Sequence, residues 1–422
     1  MRILVITRNA WDDTNAIGNT ISNFFSGIDG LEFANIYFRS ALPNNKLCSR
    51  YFRITEAEVL KKWFSPRKIG KRFICEVGNR PLAQSSSEKK EKRMVHLIHK
   101  YGVSMSYKLS NYIWYSEKWI NRSLESFVES FAPDLIFTFV RAAPQYYLTV
   151  RHLREKYQIP LLTWIADDEY SGLKKKGTHR EIRNLKYILQ ESEIVTGCSE
   201  EICDYYNSVF GSQAVPMYKG CDLSVPVKNT VGQPVRIVYA GNMLYGRLDI
   251  LKQIAQILES SAGRKAHLDI YSNHLLSSED EAYFAAMSCT RFLGRKDYER
   301  IKQDLSAADV VLHVESFDEE QLLKTRYSFS TKIIDGLQSG SVLLAVGPEE
   351  QASIRYISRI PGTCVICDPL RLREELISFL DDAGSFCKRA QTIRSFALQN
   401  HNAEVNLVKM KTMLIKTVGG EA

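Results

Sequence analysis

Residues 309–348 read DVVLHVESFDEEQLLKTRYSFSTKIIDGLQSGSVLLAVGP, and their pattern decides the fold class. Two unbroken runs of branched apolar residues, 309–314 and 341–347, flank a polar loop and a short helical segment over 331–339. Strands that are apolar on both faces are typical of parallel sheets covered by helices on each side. The stretch therefore predicts a strand, a loop, a helix and a second, parallel strand.

The same pattern recurs along the chain in two groups of apolar runs. The first group lies at residues 2–8, 32–39, 133–140, 160–166 and 193–199, and the second at 235–241, 267–272, 309–314, 341–347 and 362–367. Apolar strands that alternate with helical segments in this way build doubly wound sheets. We expect an α/β protein with two Rossmann-like lobes that face each other across a cleft.

The length of 422 residues fits two large domains, since a domain usually has about 150 residues or somewhat more. A polar stretch rich in Pro, Gly and Thr, residues 224–233, is the best candidate for a linker. We therefore place an N-terminal lobe at 1–225, with a helical and basic insertion at about 45–130. A C-terminal lobe follows at 226–400, and a helix or tail at 401–422.

The composition, with 45% hydrophobic and 25% charged residues, is that of a soluble globular protein. Nine cysteines without framework spacing predict reduced thiols in the cytoplasm. The net charge of +8 is too small and too widely spread to indicate nucleic acid as a partner. No apolar run approaches the roughly 18 residues needed to cross a bilayer. We expect a cytoplasmic protein, either soluble or peripheral on the inner face of the cell membrane.

One segment departs from the α/β pattern. Residues 61–100 contain twelve Lys and Arg against three Glu, with Trp63 and Phe64 among them. Residues 106–131 then show a helical period. The basic stretch is interpreted in two ways: a solvated edge of a helical insertion, or a surface that docks on an anionic membrane.

A loop after the first strand of the second lobe reads AGNMLYGR, residues 240–247. Gly241 and Gly246 permit a tight turn, and Arg247 begins the following helix. We expect backbone N–H groups and the Arg247 guanidinium to form an anion pocket. The alternative is a plain joint between strand and helix, with Arg247 directed outward.

The helix predicted after residue 330 carries two further candidates. Lys332 lies in its first turn, where a cation is unfavourable for the helix dipole unless a phosphate binds beside it. Asp335 lies one turn further along and can accept hydrogen bonds from a ribose diol. The alternative is a surface lysine and an ordinary helical aspartate.

These motifs carry a resemblance to a known family. The AGN-x4-R loop, the FLGR turn at 292–295 and the FSTKIIDGLQSGSVLLAVGP block look like the donor-binding lobe of retaining, family 4 type glycosyltransferases of the GT-B fold. The last block is similar to the form found in bacterial surface-polysaccharide transferases. The resemblance covers residues 235–346 well. The first lobe resembles the group more loosely, through ITRNAWDDTNAIGN, FVRAAP and WIADDEY.

The resemblance implies a role for each matching residue in the second lobe. Arg247 stands where the family has its diphosphate-binding Lys, and Asn242 follows Gly241 where the family has its usual Arg. Lys332, with Ser330 and Thr331, meets the diphosphate and the sugar. Asp335 holds the ribose, and the turn that contains Gly294 and Arg295 receives the base.

The sequence departs from the family at two positions. The family glutamate eight residues before the second acid is Tyr327 here, which leaves Glu315 or Glu319 to substitute from the loop. The histidine at a strand end of the first lobe is replaced by Asp167 and Asp168.

Three groups of the first lobe complete the predicted site. A carboxylate at Asp168 can accept the proton of the acceptor hydroxyl, while Asp167 can instead cap the next element. Gly18 and Asn19 open the first helix and would bring N–H groups near the sugar. Arg141 lies at another strand end.

The sequence is thus interpreted as that of a glycosyltransferase that moves a sugar from a nucleotide-diphosphate sugar to a saccharide or a lipid-linked saccharide, in bacterial surface-polysaccharide or glycoconjugate synthesis as the resemblance implies. A UDP-sugar or GDP-sugar is its substrate, and neither a cofactor nor a metal is expected. Two alternatives stay open. One is a nucleotide-sugar epimerase of the same two-lobe fold, which needs several histidines at the cleft, and the other is a two-lobe binding protein without chemistry.

Overall fold

The computed structural model describes residues 1–62, 69–75, 110–260 and 265–419. The chain divides into two compact units, one formed by Met1–Met217 with Leu407–Ala422 and the other by Tyr218–Asn406. The second unit thus begins at Tyr218 rather than at 226. Residues 224–233, expected to be a linker, pack within it, because the Lys228 N–H donates to the Gly340 carbonyl and the Lys228 ammonium pairs with Asp309 at 2.6 Å.

The first unit contains an eight-stranded sheet within its described residues, in the order β4-β3-β2-β1-β5-β6-β7-β8. Its strands are β1 Arg2–Thr7, β2 Glu32–Tyr37, β3 Arg50–Arg53, β4 Lys71–Ile74, β5 Leu135–Phe139, β6 Leu161–Ile165, β7 Ile194–Gly197 and β8 Val215–Pro216. All neighbours pair in parallel except β3 and β4. Its helices span Ala16–Phe25, Glu56–Lys62, Arg122–Phe131, Pro144–Tyr157, Tyr170–Lys176, His179–Gln190 and Glu200–Phe210.

The second unit contains a six-stranded, wholly parallel sheet in the order β11-β10-β9-β12-β13-β14. Its strands are β9 Val235–Ala240, β10 Ala266–Tyr271, β11 Thr290–Gly294, β12 Val310–Val314, β13 Val342–Val346 and β14 Cys364–Ile366. Its helices span Arg247–Ser260, Ser278–Ala285, Tyr298–Ala307, Glu319–Thr325, Lys332–Gln338, Ala352–Ser358, Leu372–Asp381 and Phe386–Asn400. A last helix, Ala403–Thr417, leads back into the first unit.

The apolar runs become strands because both of their faces are covered. Every residue of β5, β6, β12 and β13 is buried, as expected for parallel strands with helices on either side. All ten runs quoted above contain a strand of one of the two sheets. The prediction of an α/β protein with two doubly wound, Rossmann-like units is therefore confirmed.

The predicted insertion is partly wrong. Residues 50–53 and 71–74 extend the sheet as β3 and β4, which pair with each other in antiparallel fashion. Residues 106–131 do not form one continuous helix either. Within the described part, a helical turn at 110–114 is separated from the helix Arg122–Phe131 by a turn at Glu117, whose φ is 56°. Trp114 before this turn and Trp119 after it are both buried, and the centres of their rings lie 5.3 Å apart. Tertiary packing therefore overrides the helical period.

Most of the basic stretch lies outside the described residues, so its two interpretations stay as stated. Among the helices that are described, none combines the length and the apolar character required to span a membrane.

Candidate functional site: the carboxyl edges of the two sheets

The glycine loop and the helix that begins at Lys332 meet at the carboxyl edge of the second sheet. Gly241 directly follows β9, and a Cβ atom placed on it would come within 2.2 Å of Lys332 Nζ. A Cβ at Gly246, which has a φ of +74°, would come within 2.4 Å of Ser316 Oγ. The backbone conformation of Gly246 thus favours glycine, while Gly241 leaves the space that the Lys332 ammonium occupies, so the two motifs singled out in the sequence lie in direct contact.

Lys332 is the first residue of its helix, and its ammonium is a desolvated cation that Glu315 and Asp335 offset only in part. Burial, and after it the charge of Arg247, lower the pKa of the Lys332 ammonium to about 8. Its nitrogen lies 5.7 Å from the centre of the Tyr239 ring. Among the described residues, it has neither an ion-pair partner nor a hydrogen-bond acceptor. A desolvated ammonium in this state is a strong binding group for an anion.

Arg247 begins the helix Arg247–Ser260, as expected, but its guanidinium is directed into the protein. One terminal nitrogen donates to both oxygens of Glu315 at 2.9 Å, and the other donates to Asn242 Oδ1 at 2.8 Å. The Nε–H donates to the Val314 carbonyl at 3.2 Å. A phosphate bound by Arg247 would therefore have to share or displace one of these acceptors.

Glu315 does not extend from the loop as a substitute for the family glutamate, because it is buried and pairs with Arg247. Burial alone would raise the pKa of Glu315, but His313 and Arg247 outweigh it and hold the pKa below its usual value. His313 Nε2 lies 3.3 Å from Glu315 Oε1, and burial lowers the pKa of His313. The role that this buried group supports is to orient the guanidinium.

Asp335 is also held by neighbours. Its Oδ1 accepts hydrogen bonds from the Lys219 ammonium at 3.3 Å and from the Tyr298 hydroxyl at 3.2 Å. Burial alone would lower the pKa of Lys219, but Asp335 outweighs it and raises the pKa. Both contacts involve one oxygen, so the ribose role of Asp335 stays a prediction.

The remaining predicted donor contacts are backbone or loop groups. Thr331 caps its helix without a side-chain hydrogen bond, while the Ser330 N–H donates to Ser353 Oγ at 2.9 Å. Gly294 ends β11 with a φ of +65° and is followed by the exposed Arg295. Their roles toward the diphosphate and the base stay predictions.

In the first unit, the carboxylates after β6 bind to their own surroundings. Asp168 Oδ1 accepts from the Ser171 N–H at 3.2 Å and from the Tyr206 hydroxyl at 3.3 Å. Asp168 rather than Asp167 therefore accepts an N–H of the first turn of the next helix, while Asp167 pairs with Arg141 at 3.2 Å. Both hydrogen bonds involve Oδ1 of Asp168, so the proposed acceptance of a proton would fall to Oδ2.

The prediction for Gly18 is wrong in its mechanism. The N–H of Gly18 donates to Asn15 Oδ1 at 2.8 Å and so completes the cap of the helix Ala16–Phe25. A Cβ at Gly18 would come within 2.0 Å of the Asp12 carbonyl oxygen. Gly18 is thus required for close packing of the backbone, and its N–H is not available to a sugar.

Sequence reasoning missed three residues at these edges. Lys219 pairs with Asp335 from a distant segment, and Glu169 binds Arg141 at 2.6 Å. Arg8 comes directly after β1. Only Arg8 had a readable signal, since the run RILVITR ends in a charge at the strand end.

The described architecture, two units with parallel sheets, matches that of solved GT-B glycosyltransferases, and the chain has this fold. No family model matches the sequence, and no curated protein matches it at a significant level.

The solved structures that it resembles include three of full length. Sucrose-phosphate synthase from Thermosynechococcus elongatus is 12% identical over 99% of each chain, with a TM-score of 0.66. HepE from Anabaena, in complex with UDP, is 11% identical over 99% of this chain and 100% of that chain, with a TM-score of 0.62. WaaG, a glycosyltransferase involved in lipopolysaccharide biosynthesis, is 10% identical over 97% of this chain and 99% of that chain, with a TM-score of 0.57.

Proposed function

We propose that the protein is a retaining glycosyltransferase that transfers a hexose from a UDP-sugar or GDP-sugar to a saccharide or lipid-linked saccharide, in bacterial surface-polysaccharide or glycoconjugate synthesis. The second unit binds the nucleotide sugar and the first unit binds the acceptor. The solved neighbours named above do not favour the epimerase alternative, since they are a synthase, a protein solved with UDP and a glycosyltransferase.

One observation carries the proposal. The desolvated ammonium of Lys332 lies beside Gly241 and has no ion-pair partner among the described residues. A cation that is desolvated and unpaired costs the folded protein free energy. A diphosphate bound at this position would remove that cost. The absence of a side chain on Gly241 is what lets the ammonium reach the strand end, as a Cβ there would lie at 2.2 Å from it.

The chemistry follows from where charge develops. When the bond between the sugar and the diphosphate breaks, negative charge grows on the departing phosphate oxygen. Lys332 lies where it can stabilise that charge, and Arg247 adds a second positive charge whose orientation Glu315 fixes. A preorganised cation of this kind stabilises the transition state more than the ground state. Asp168 accepts the proton of the acceptor hydroxyl.

The test is turnover of UDP- and GDP-activated hexoses with a panel of saccharide acceptors, read as release of the nucleoside diphosphate. Lys332→Met should lower kcat/KM by about 10²- to 10³-fold. Lys324→Met serves as the matched control, because Lys324 is an exposed lysine of the same unit that pairs with Glu320. Transfer that is unchanged in Lys332→Met, or absent from the wild type with every donor, would refute the proposal.

An anionic membrane surface is proposed as a further partner of the basic stretch at 61–100. Each basic residue near such a surface contributes about 1 kcal/mol. Glutamine at Lys61, Lys62, Lys68, Lys71 and Arg72 should weaken flotation with anionic vesicles in a salt-sensitive way. Equal flotation with neutral and anionic vesicles would exclude this role.

A further inference from the structure

Three arginines follow three neighbouring strands of the first sheet. Arg8 comes directly after β1, while Arg39 and Arg141 come two residues after the ends of β2 and β5; the three strands pair side by side in parallel. Parallel strands in register bring their carboxyl ends to one edge of the sheet. The N–H of Phe38 also donates to the Arg8 carbonyl at 3.0 Å, which ties the two adjacent strand ends together.

Arg141 already has two ion-pair partners. Its guanidinium binds Glu169 at 2.6 Å and Asp167 at 3.2 Å. The second oxygen of Glu169 accepts the Ala142 N–H at 2.8 Å. Asp167 and Glu169, which follow β6, thus hold Arg141 in place. Arg8 has no ion-pair partner among the described residues.

Arg8 has an exposed side chain, yet its charge is disfavoured where it lies. Loss of water contact lowers the pKa of Arg8 most, and the charges of Arg39 and then Arg141 lower it further, while Tyr146 and Glu169 act in the opposite direction. An arginine stays protonated under all ordinary conditions, so the folded protein carries a cost that comes first from lost hydration and then from repulsion. An anion bound at this edge would relieve it, and a guanidinium binds phosphate or carboxylate through two parallel hydrogen bonds.

We propose that the carboxyl edge of the first sheet binds an acidic group of the acceptor, a phosphate or a carboxylate, with Arg8 as the direct contact and Arg39 as a supporting charge. This inference rests on the proposed function, since it names the chemical class of the acceptor. It predicts that a neutral saccharide is a poor acceptor.

The experiment measures binding of three sugars by ligand-observed NMR, with UDP present so that a nucleotide site is filled. The probes are glucose 1-phosphate, methyl β-glucuronide and the neutral methyl β-glucoside. The variants are Arg8→Gln, Arg8→Lys and Arg2→Gln. Arg2 lies at the opposite, amino end of the same strand, where it pairs with Asp134, so it controls for net charge.

At least one acidic probe should bind about tenfold tighter than the glucoside. The difference should vanish in Arg8→Gln, persist in Arg2→Gln and be largely restored in Arg8→Lys. Preference for glucose 1-phosphate would identify a phosphate-bearing acceptor, and preference for the glucuronide an acidic sugar. Equal binding of all three probes, or binding that Arg8→Gln leaves unchanged, would overturn the inference. A wild type that binds neither UDP nor GDP would instead contradict the proposed function, and the Arg8 comparison would still decide the anion site.

Discussion

Replacing Lys332 by methionine should make the protein without nucleotide more stable, although the same change removes the proposed anion site. Met keeps the length of the side chain and removes only its charge. The pKa of Lys332 is about 8, against an ordinary value of 10.5. Since one pKa unit corresponds to about 1.4 kcal/mol, the protonated form costs the fold up to about 3 kcal/mol at pH 7. In a unit of this size that corresponds to several degrees of Tm.

The effect has a defined pH dependence. The unfolded chain keeps the Lys332 proton until the pH nears 10.5, whereas the folded protein releases it near pH 8. The stability cost is therefore fully present below pH 8 and fades as the pH rises toward 10.5. Thermal unfolding at pH 7 and pH 10 should show a higher Tm for Lys332→Met at pH 7 and a smaller gain at pH 10, with Lys324→Met unchanged at both. A lower Tm for Lys332→Met at pH 7, or a gain that does not depend on pH, would mean that the charge of Lys332 does not destabilise the folded protein.

Three further outcomes are expected. Glu315→Gln should destabilise the protein by about 3 kcal/mol in urea unfolding, because it leaves the buried charge of Arg247 unpaired; a change below about 1 kcal/mol would mean that the pair does not hold Arg247. Asp335→Ala should raise the KM for the nucleotide sugar more than it lowers kcat, since a ribose contact changes little along the reaction; a loss in kcat alone would contradict that role. Activity should persist in EDTA, because cationic side chains replace a metal, and loss that Mg²⁺ or Mn²⁺ restores would show that the phosphate pocket is misassigned.

The fold could be predicted because parallel strands covered on both faces leave a clear signal. Each of the ten apolar runs named above contains most or all of a strand, and the glycine loop and the Lys332 helix came together because β9 and β12 are neighbours. The strands β3 and β4 gave no such signal. They are short, lie toward one edge of the sheet and carry arginines at Arg50, Arg53 and Arg72, so their pairing depends on a context that the sequence pattern does not contain.

The site was predicted less completely, since a side chain's partners come from distant segments. The sequence placed Arg247 at a helix start, but the bidentate contact with Glu315 joins residues 68 positions apart. Likewise, Lys219 reaches Asp335 across 116 positions. Lys332 was the opposite case, because the charge at a helix start and the glycine that makes room for it are both readable as single letters.

Calorimetric titration of UDP and GDP determines whether Lys332 and Gly241 form a site for a nucleoside diphosphate. The wild type should bind at least one of them at pH 7. Lys332→Met should weaken that affinity at least about tenfold, which is the effect of losing one charge-assisted hydrogen bond to phosphate, and Lys324→Met should leave it unchanged. Equal affinity in the wild type and Lys332→Met, or no binding of either nucleotide to the wild type, would mean that Lys332 and Gly241 do not form this site.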